Sequence, residues 1–168
     1  MSYELRLERL YDASPEVVFD AFVDPAAQEQ LHGSGQDGWV VSRCETDVRV
    51  GGTSVYAMGM EGQEPDVEIR VFSEVDRPHR LAFHHSMTSS EWDGRTVESE
   101  MTITFEDQGG KTLLTMVQTG FETEELRDDF LHGWPAYLDT LGRVVGSRVG
   151  EGPEEPGQGD VLKARHDT

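Results

Sequence analysis

Residues 132–146 read HGWPAYLDTLGRVVG. With the preceding Phe130, the side chains of Trp134, Tyr137, Leu138, Leu141, Val144 and Val145 recur at spacings of three and four, which places them on one face of a helix. Upstream, Thr123 is a natural cap, and Glu124-Glu125 suit the positive end of a helix dipole. The pattern predicts one long helix from Thr123 to about Val149. Pro135 removes one helical hydrogen bond, which predicts a kink or a fresh helix start near Trp134. A long helix with a bulky apolar stripe needs a cover, and the rest of the chain is read for one.

Residues 3–11, YELRLERLY, alternate as a strand does. In DASPEVVFDAFVDPAA, Ser14 caps a short helix that starts at Pro15 and ends near Val23; Asp24-Pro25 starts a second, over 25–31. Six β-rich runs follow, at about 38–46, 49–60, 66–75, 80–87, 97–106 and 111–119. Their short turns, marked by Gly51-Gly52, Glu61-Gly62, Arg77-Pro78, Asp93-Gly94 and Gly109-Gly110, imply antiparallel hairpins. About seven strands in a bent antiparallel sheet, two short helices after the first strand and one long C-terminal helix make an α+β fold. The chain divides into a single domain over 1–149 and a Gly-, Pro- and Glu-rich tail over 150–168, expected to be flexible.

The 168 residues carry 33 acidic and 14 basic side chains, a formal charge of -19. Nucleic acid and anionic membranes would be repelled by such a surface. No apolar run approaches the ~20 residues of a transmembrane helix, and the N-terminus lacks a secretory apolar segment. With Cys44 the single cysteine, no internal disulfide is available. A cytoplasmic location is the expectation, with no membrane insertion and the oligomeric state left open.

Five stretches in order resemble one family. They are SPEVVFDAFVDPAA (14–27), DVRVGGTSVYAM (47–58, with Asp47, Arg49, Gly51 and Gly52), RPHRLAFHH (77–85), GGKTLLTMVQTGF (109–121) and GWPAYLDTL (133–141). Together they are similar to the family of the activator of the heat shock protein 90 ATPase, within the START-related (SRPBCC) helix-grip superfamily. The resemblance covers about residues 3–149. It implies a helix-grip fold with a space between the bent sheet and the long helix. Many relatives carry a tryptophan pair at the end of the second short helix; here that stretch reads EQLHGSGQDG, and Trp39 follows it.

Strand alternation indicates which side chains face that space. Leu81, Phe83 and His85 share a face, as do Met101 and Ile103, and Leu114 and Met116. The family resemblance points Ser54, Tyr56 and Met58 inward. The expected ligand-binding lining is Trp39, Tyr56, Met58, Phe83, His85, Met101, Ile103, Met116, Trp134, Tyr137, Leu138 and Leu141. It is apolar with a few polar tips, which suits a lipophilic molecule. The NH of Trp134 and the OH of Tyr137 need partners when buried, and a cavity holding water or ligand is the expected source.

Other constellations are read as structural. His84 and His85 are strand neighbours on opposite faces, so they share no metal; no metal, cofactor or catalytic residue is assigned. Glu98 and Glu100, and likewise Glu68 and Arg70, are read as solvated positions on the convex side of the sheet. Asp47 and Arg49 are read as a structural ion pair, and Cys44 as a small buried residue.

Three functions follow as expectations. The first is a binding module for a small hydrophobic ligand. The second, implied by the resemblance, is a protein-interaction module with a chaperone as partner. The third is an enzyme on a lipophilic or polyketide-like substrate, using His85, Tyr56 or Tyr137.

Overall fold

The computed structural model describes residues 2–150. The elements are β1 (Tyr3–Tyr11), α1 (Pro15–Val23), α2 (Pro25–Leu31), β2 (Trp39–Thr46), β3 (Thr53–Met60), β4 (Asp66–Asp76), β5 (Arg80–Ser89), β6 (Arg95–Gln108), β7 (Lys111–Phe121) and α3 (Glu124–Gly150). A single 3-10 turn, Ser90–Trp92, links β5 to β6. The expected tail lies outside the described residues, apart from Gly150.

Local chemistry sets the helix starts. The Ser14 hydroxyl accepts from the Val17 amide and the Asp24 carboxylate from the Ala27 amide, at 3.4 and 3.0 Å. Thr123 does the same for Leu126 at 3.1 Å. In each case a side-chain oxygen satisfies an amide that has no partner inside the helix. Pro15 and Pro25 occupy the first helical position, where the missing N–H is not needed. Pro135 does not start a new helix: α3 is one element through it.

All seven strands form one antiparallel sheet in the order β1-β7-β6-β5-β4-β3-β2. The chain thus crosses from one edge to the other through α1 and α2, then returns by hairpins. The α3 stripe packs on the concave face: Leu138 and Leu141 are fully enclosed, with Phe130, Trp134, Tyr137, Val144 and Val145 buried beside them. Each such aliphatic side chain contributes about 1.5–3 kcal/mol of burial. From the sheet come Leu81, Phe83, Met101, Ile103, Phe105, Leu114 and Met116; Val18, Phe19 and Phe22 of α1 close one end.

The Gly51-Gly52 turn has a specific role. Gly51 sits at φ +83°, in the left-handed region, and a Cβ on Gly52 would collide with the Asp47 carbonyl. The two glycines exchange backbone hydrogen bonds with Phe72, Gly51 N to Phe72 O at 2.8 Å and Phe72 N to Gly52 O at 3.0 Å. Arg49 and Asp47 pair on the surface at 2.9 Å. The strand expected from residue 49 therefore begins only at Thr53.

Next to Phe72 the β4/β5 ladder slips. Phe72 pairs with Phe83 and Arg70 with His85, but Glu74 pairs with Ala82 and Asp76 with Arg80. The bulge between Phe72 and Glu74 turns the first half of β4 over, because a one-residue shift exchanges the two faces of a strand. Glu68, Arg70 and Phe72 point inward and are 3%, 1% and 4% exposed, while Val71 on the opposite face is 39% exposed. The reading of Glu68 and Arg70 as solvated convex positions is thereby overturned. Glu98 and Glu100 are exposed on the convex face, where both hold His84.

Candidate functional site

Four elements carry polar side chains into one buried cluster under the helix stripe. Gln28 comes from α2, with His32 at its C-terminal cap. Glu68 and Arg70 come from β4, His85 from β5 and Tyr137 from α3. All six are at most 9% exposed.

Glu68 is the hub. Its Oε2 accepts from Arg70 Nε at 2.6 Å, and its Oε1 lies 2.8 Å from His32 Nε2. His85 Nε2 stands 3.1 Å from Oε2. Burial works to raise the pKa of this carboxyl, but Arg70, then His85 and His32, outweigh it and hold it well below the usual range. Glu68 is therefore a carboxylate. His32 Nδ1 faces the Gln28 carbonyl oxygen at 2.9 Å. His32 thus bridges α2 and β4, one ring nitrogen against the Gln28 carbonyl and the other against the Glu68 carboxylate.

Arg70 sits in an aromatic cage. Its guanidinium carbon is 5.0 Å from the Tyr56 ring centre, 5.1 Å from Phe83, 5.4 Å from Phe22 and 5.9 Å from Tyr137. Arg70 also donates to the Tyr137 hydroxyl at 3.2 Å, which in turn donates to Gln28 Oε1 at 3.0 Å. Burial pushes the Tyr137 hydroxyl up to about 12, against the opposing pull of Arg70. A second chain of hydrogen bonds runs from Trp134 Nε1 to Gln118 Oε1 and from Gln118 Nε2 to Ser99 Oγ, each at 2.8 Å. The expectation that Trp134 and Tyr137 take their partners from cavity water or ligand is corrected: protein side chains supply them. Trp39 Nε1 likewise donates to the His32 carbonyl at 3.0 Å.

One member of the cluster is left over. His85 is 1% exposed, its Nδ1 has no hydrogen-bond partner, and its Nε2 is out of line for a hydrogen bond to Glu68. A buried polar atom left unpaired costs about 1–3 kcal/mol, so its presence calls for an explanation.

Above the cluster lies a cleft of about 970 Å³ between the sheet, α2 and the first half of α3. Its apolar wall includes Met58, Met87, Trp92, Phe130 and Trp134, and its floor is Glu68, His32, His85 and Tyr137. Acidic side chains stand on it too: Asp66, Glu91, Asp129 and Asp139, with Arg143 as a basic one. Trp92 stacks on Phe130 at 5.6 Å between ring centres and donates to Asp129.

Of the sequence-predicted lining, Trp39, Met58, His85, Trp134 and Tyr137 face this cleft. Tyr56, Phe83, Met101, Ile103, Met116, Leu138 and Leu141 are buried but packed away from it. Tyr56 lies behind His32, stacked at 4.2 Å. Sequence reasoning passed over Gln28 and His32 and set Glu68 and Arg70 on the wrong face of the sheet. Cys44 is half-buried, with Sγ 3.4 Å from the Pro25 carbonyl. Among the described residues no group of three or more His, Cys, Asp or Glu side chains is placed to hold a metal, and no helix is long and apolar enough to cross a membrane.

Comparison with known proteins agrees with this architecture. The model of the family described as Activator of Hsp90 ATPase homolog 1-like protein matches residues 12–146. No curated protein matches the chain. A crystal structure of a Chromobacterium violaceum protein is 25% identical, covers 84% of this chain and 96% of its own, and superposes with a TM-score of 0.70. The solution structure of an AHSA1-like protein from Aeromonas hydrophila is 22% identical over 89% of this chain and 96% of its own, with a TM-score of 0.69. CalU16 from Micromonospora echinospora is 19% identical over 98% and 85%, with a TM-score of 0.60. With a family match over most of its length, a seven-stranded antiparallel sheet and a long C-terminal helix, the chain belongs to the Activator of Hsp90 ATPase homolog 1-like family and has its helix-grip fold.

Proposed function

We propose that this protein binds a small hydrophobic ligand in the cleft between the sheet and α3. The observation that carries the reading is a concave, aromatic-walled space of about 970 Å³ ending on a buried histidine with unpaired nitrogens. Ligand sites commonly have this size and this mixture of apolar wall and few polar groups. Met58 and Met87 add side chains that adapt to irregular shapes.

The other two expectations have less support. Acid-base chemistry by a tyrosine would need a free hydroxyl at the cleft, but that of Tyr137 is engaged by Gln28 and Arg70, and Tyr56 does not line it. A chaperone-directed role draws on the family description alone.

Titration of isotope-labelled protein with sterols, fatty acids, flavonoids and polyketides, followed by amide and indole NMR shifts, tests the reading. Saturable shifts at Trp134, Trp39, Met58 and Met87 are the expected result. A folded sample silent at these positions across the panel would refute it, and pull-downs with partner proteins would then take over.

A further inference from the structure

The carboxylates that line the cleft are unevenly matched. Glu68 is paired with Arg70 at 2.6 Å and Asp139 with Arg9 at 3.2 Å. No arginine among the described residues pairs with Asp66, Glu91 or Asp129. Glu91 and Asp129 are exposed and share one end of the cleft, where the Ser90–Trp92 turn meets the start of α3. Trp92 holds the turn there: its Nε1 donates to Asp129 Oδ2 at 3.2 Å and its ring stacks on Phe130. Arg143, the arginine on the cleft, lies about 21 Å further along α3 than Asp129 at 1.5 Å per residue. His132 is exposed one helical turn from Asp129.

The same end is aromatic. From half-buried Trp92 the rings lead inward through Phe130, His85 and Trp134, with centres 5.6, 5.7 and 6.1 Å apart in turn, and all four residues line the cleft. The buried histidine is thus two rings in from the carboxylates at the mouth. An electron-rich ring beside an unmatched carboxylate receives an ammonium group well: the ring attracts the cation and the carboxylate supplies its counter-charge. Trp92 engages Oδ2 of Asp129, which leaves Oδ1 to accept from a second N–H. Trp134, Met58 and Met87 offer apolar surface to a hydrocarbon body. An anion would meet Glu91 and Asp129 first, on a chain of formal charge -19, and be repelled. A neutral lipophile would leave both carboxylates unused.

Resting on the proposed ligand-binding reading of the cleft, we infer that the site takes lipophilic amines, with the hydrocarbon body between the sheet and α3 and the protonated nitrogen at the mouth, against Asp129, Glu91 and the Trp92 ring.

Three probes with one ring system separate the possibilities: 2-naphthylmethylamine, 2-naphthylmethanol and 2-naphthoate. Calorimetric titration gives affinities for the wild-type chain and for the double variant Glu91→Gln/Asp129→Asn, whose substitutions are on exposed side chains. The Trp92 indole NMR signal of the wild-type protein reports the place of binding and needs no variant. The expected result is binding of the amine about five-fold or more tighter than the alcohol at low salt, as a cation held by carboxylates and an aromatic ring implies. The preference should fall toward parity in the double variant and as salt is raised, and the amine should move the Trp92 signal. Equal binding of amine and alcohol to the wild-type chain overturns this inference and leaves the cleft reading standing. So does an amine preference undiminished in the double variant, or a Trp92 signal unmoved by a bound amine, since the attraction is then that of the chain's overall charge. Tightest binding of 2-naphthoate overturns it in favour of an anion site. Binding of none of the three overturns it as well, and the titrations with sterols, fatty acids, flavonoids and polyketides then decide the reading beneath it.

Discussion

The Oε2 atom of Glu68 and the Nε atom of Arg70 lie 2.6 Å apart on neighbouring inward positions of one strand, both sealed from solvent. Neither charge is stable there alone. Replacing Glu68 by Gln leaves the Arg70 guanidinium buried without its counter-charge, and breaking such a pair costs about 3–5 kcal/mol. Urea unfolding followed by circular dichroism should show a large drop in midpoint for Glu68→Gln. Adding Arg70→Met should recover part of it, since the orphaned charge is then gone.

The same carboxylate makes stability depend on pH. Its folded pKa is depressed below the unfolded value of about 4.3. The stability it confers is thus present above that pH and lost as pH falls through the lower folded value. The difference in unfolding free energy between wild type and Glu68→Gln should be full at neutral pH and narrow below pH 4. A difference that stayed constant down to pH 2 would refute the linkage.

On the convex face, His84 shows the opposite sign. Hydrogen bonds donated to Glu100 and then to Glu98 raise its pKa, with burial opposing them. The contribution is present below about pH 6.5 and fades as pH rises through the folded value. An NMR titration of the His84 ring should give a midpoint above about 6.5, and Glu100→Gln should lower it more than Glu98→Gln.

Trp134→Phe keeps the apolar wall but removes the donor to Gln118 Oε1. The orphaned amide oxygen is buried, so the variant should lose about 1–3 kcal/mol. Trp134→Phe unfolding at the wild-type midpoint would mean that Gln118 finds another donor.

Gly133→Ala should act in the other direction. A Cβ at this helical position meets no atom within 4 Å. Removing the conformational freedom of glycine inside a helix gains about 0.5–1 kcal/mol, measurable as a raised thermal midpoint.

Much of the fold is legible in the sequence because its signals are local. Ser14, Asp24 and Thr123 cap the helices they announce, and the stripe from Phe130 to Val145 is buried as its spacing requires. The polar floor is not legible, and the reason is the bulge in β4. Counting back from the Arg80–Asp76 pair without a slip would set Val71 opposite His85 and turn Glu68 and Arg70 outward. The slip after Phe72 sets Arg70 opposite His85 instead. The one available signal was Phe72, an aromatic of the same parity as Glu68 and Arg70. His32 and Gln28 carry no comparable sign: a helix end of seven residues has too little periodicity to announce which face is buried.

The hydrogen bonds of the floor join distant parts of the chain: Arg70 to Tyr137 spans 67 positions, and Tyr137 to Gln28 spans 109. Glu68 and Arg70 neutralise each other within one strand, but the hydrogen bonds of Arg70, Tyr137 and Gln28 need β4, α3 and α2 together. A half-assembled chain, with the sheet made but α3 undocked, would hold charged groups facing an unfinished interior. Docking of the last helix is then what turns a liability into a finished floor, so the cleft should take shape in a single step at the end of folding.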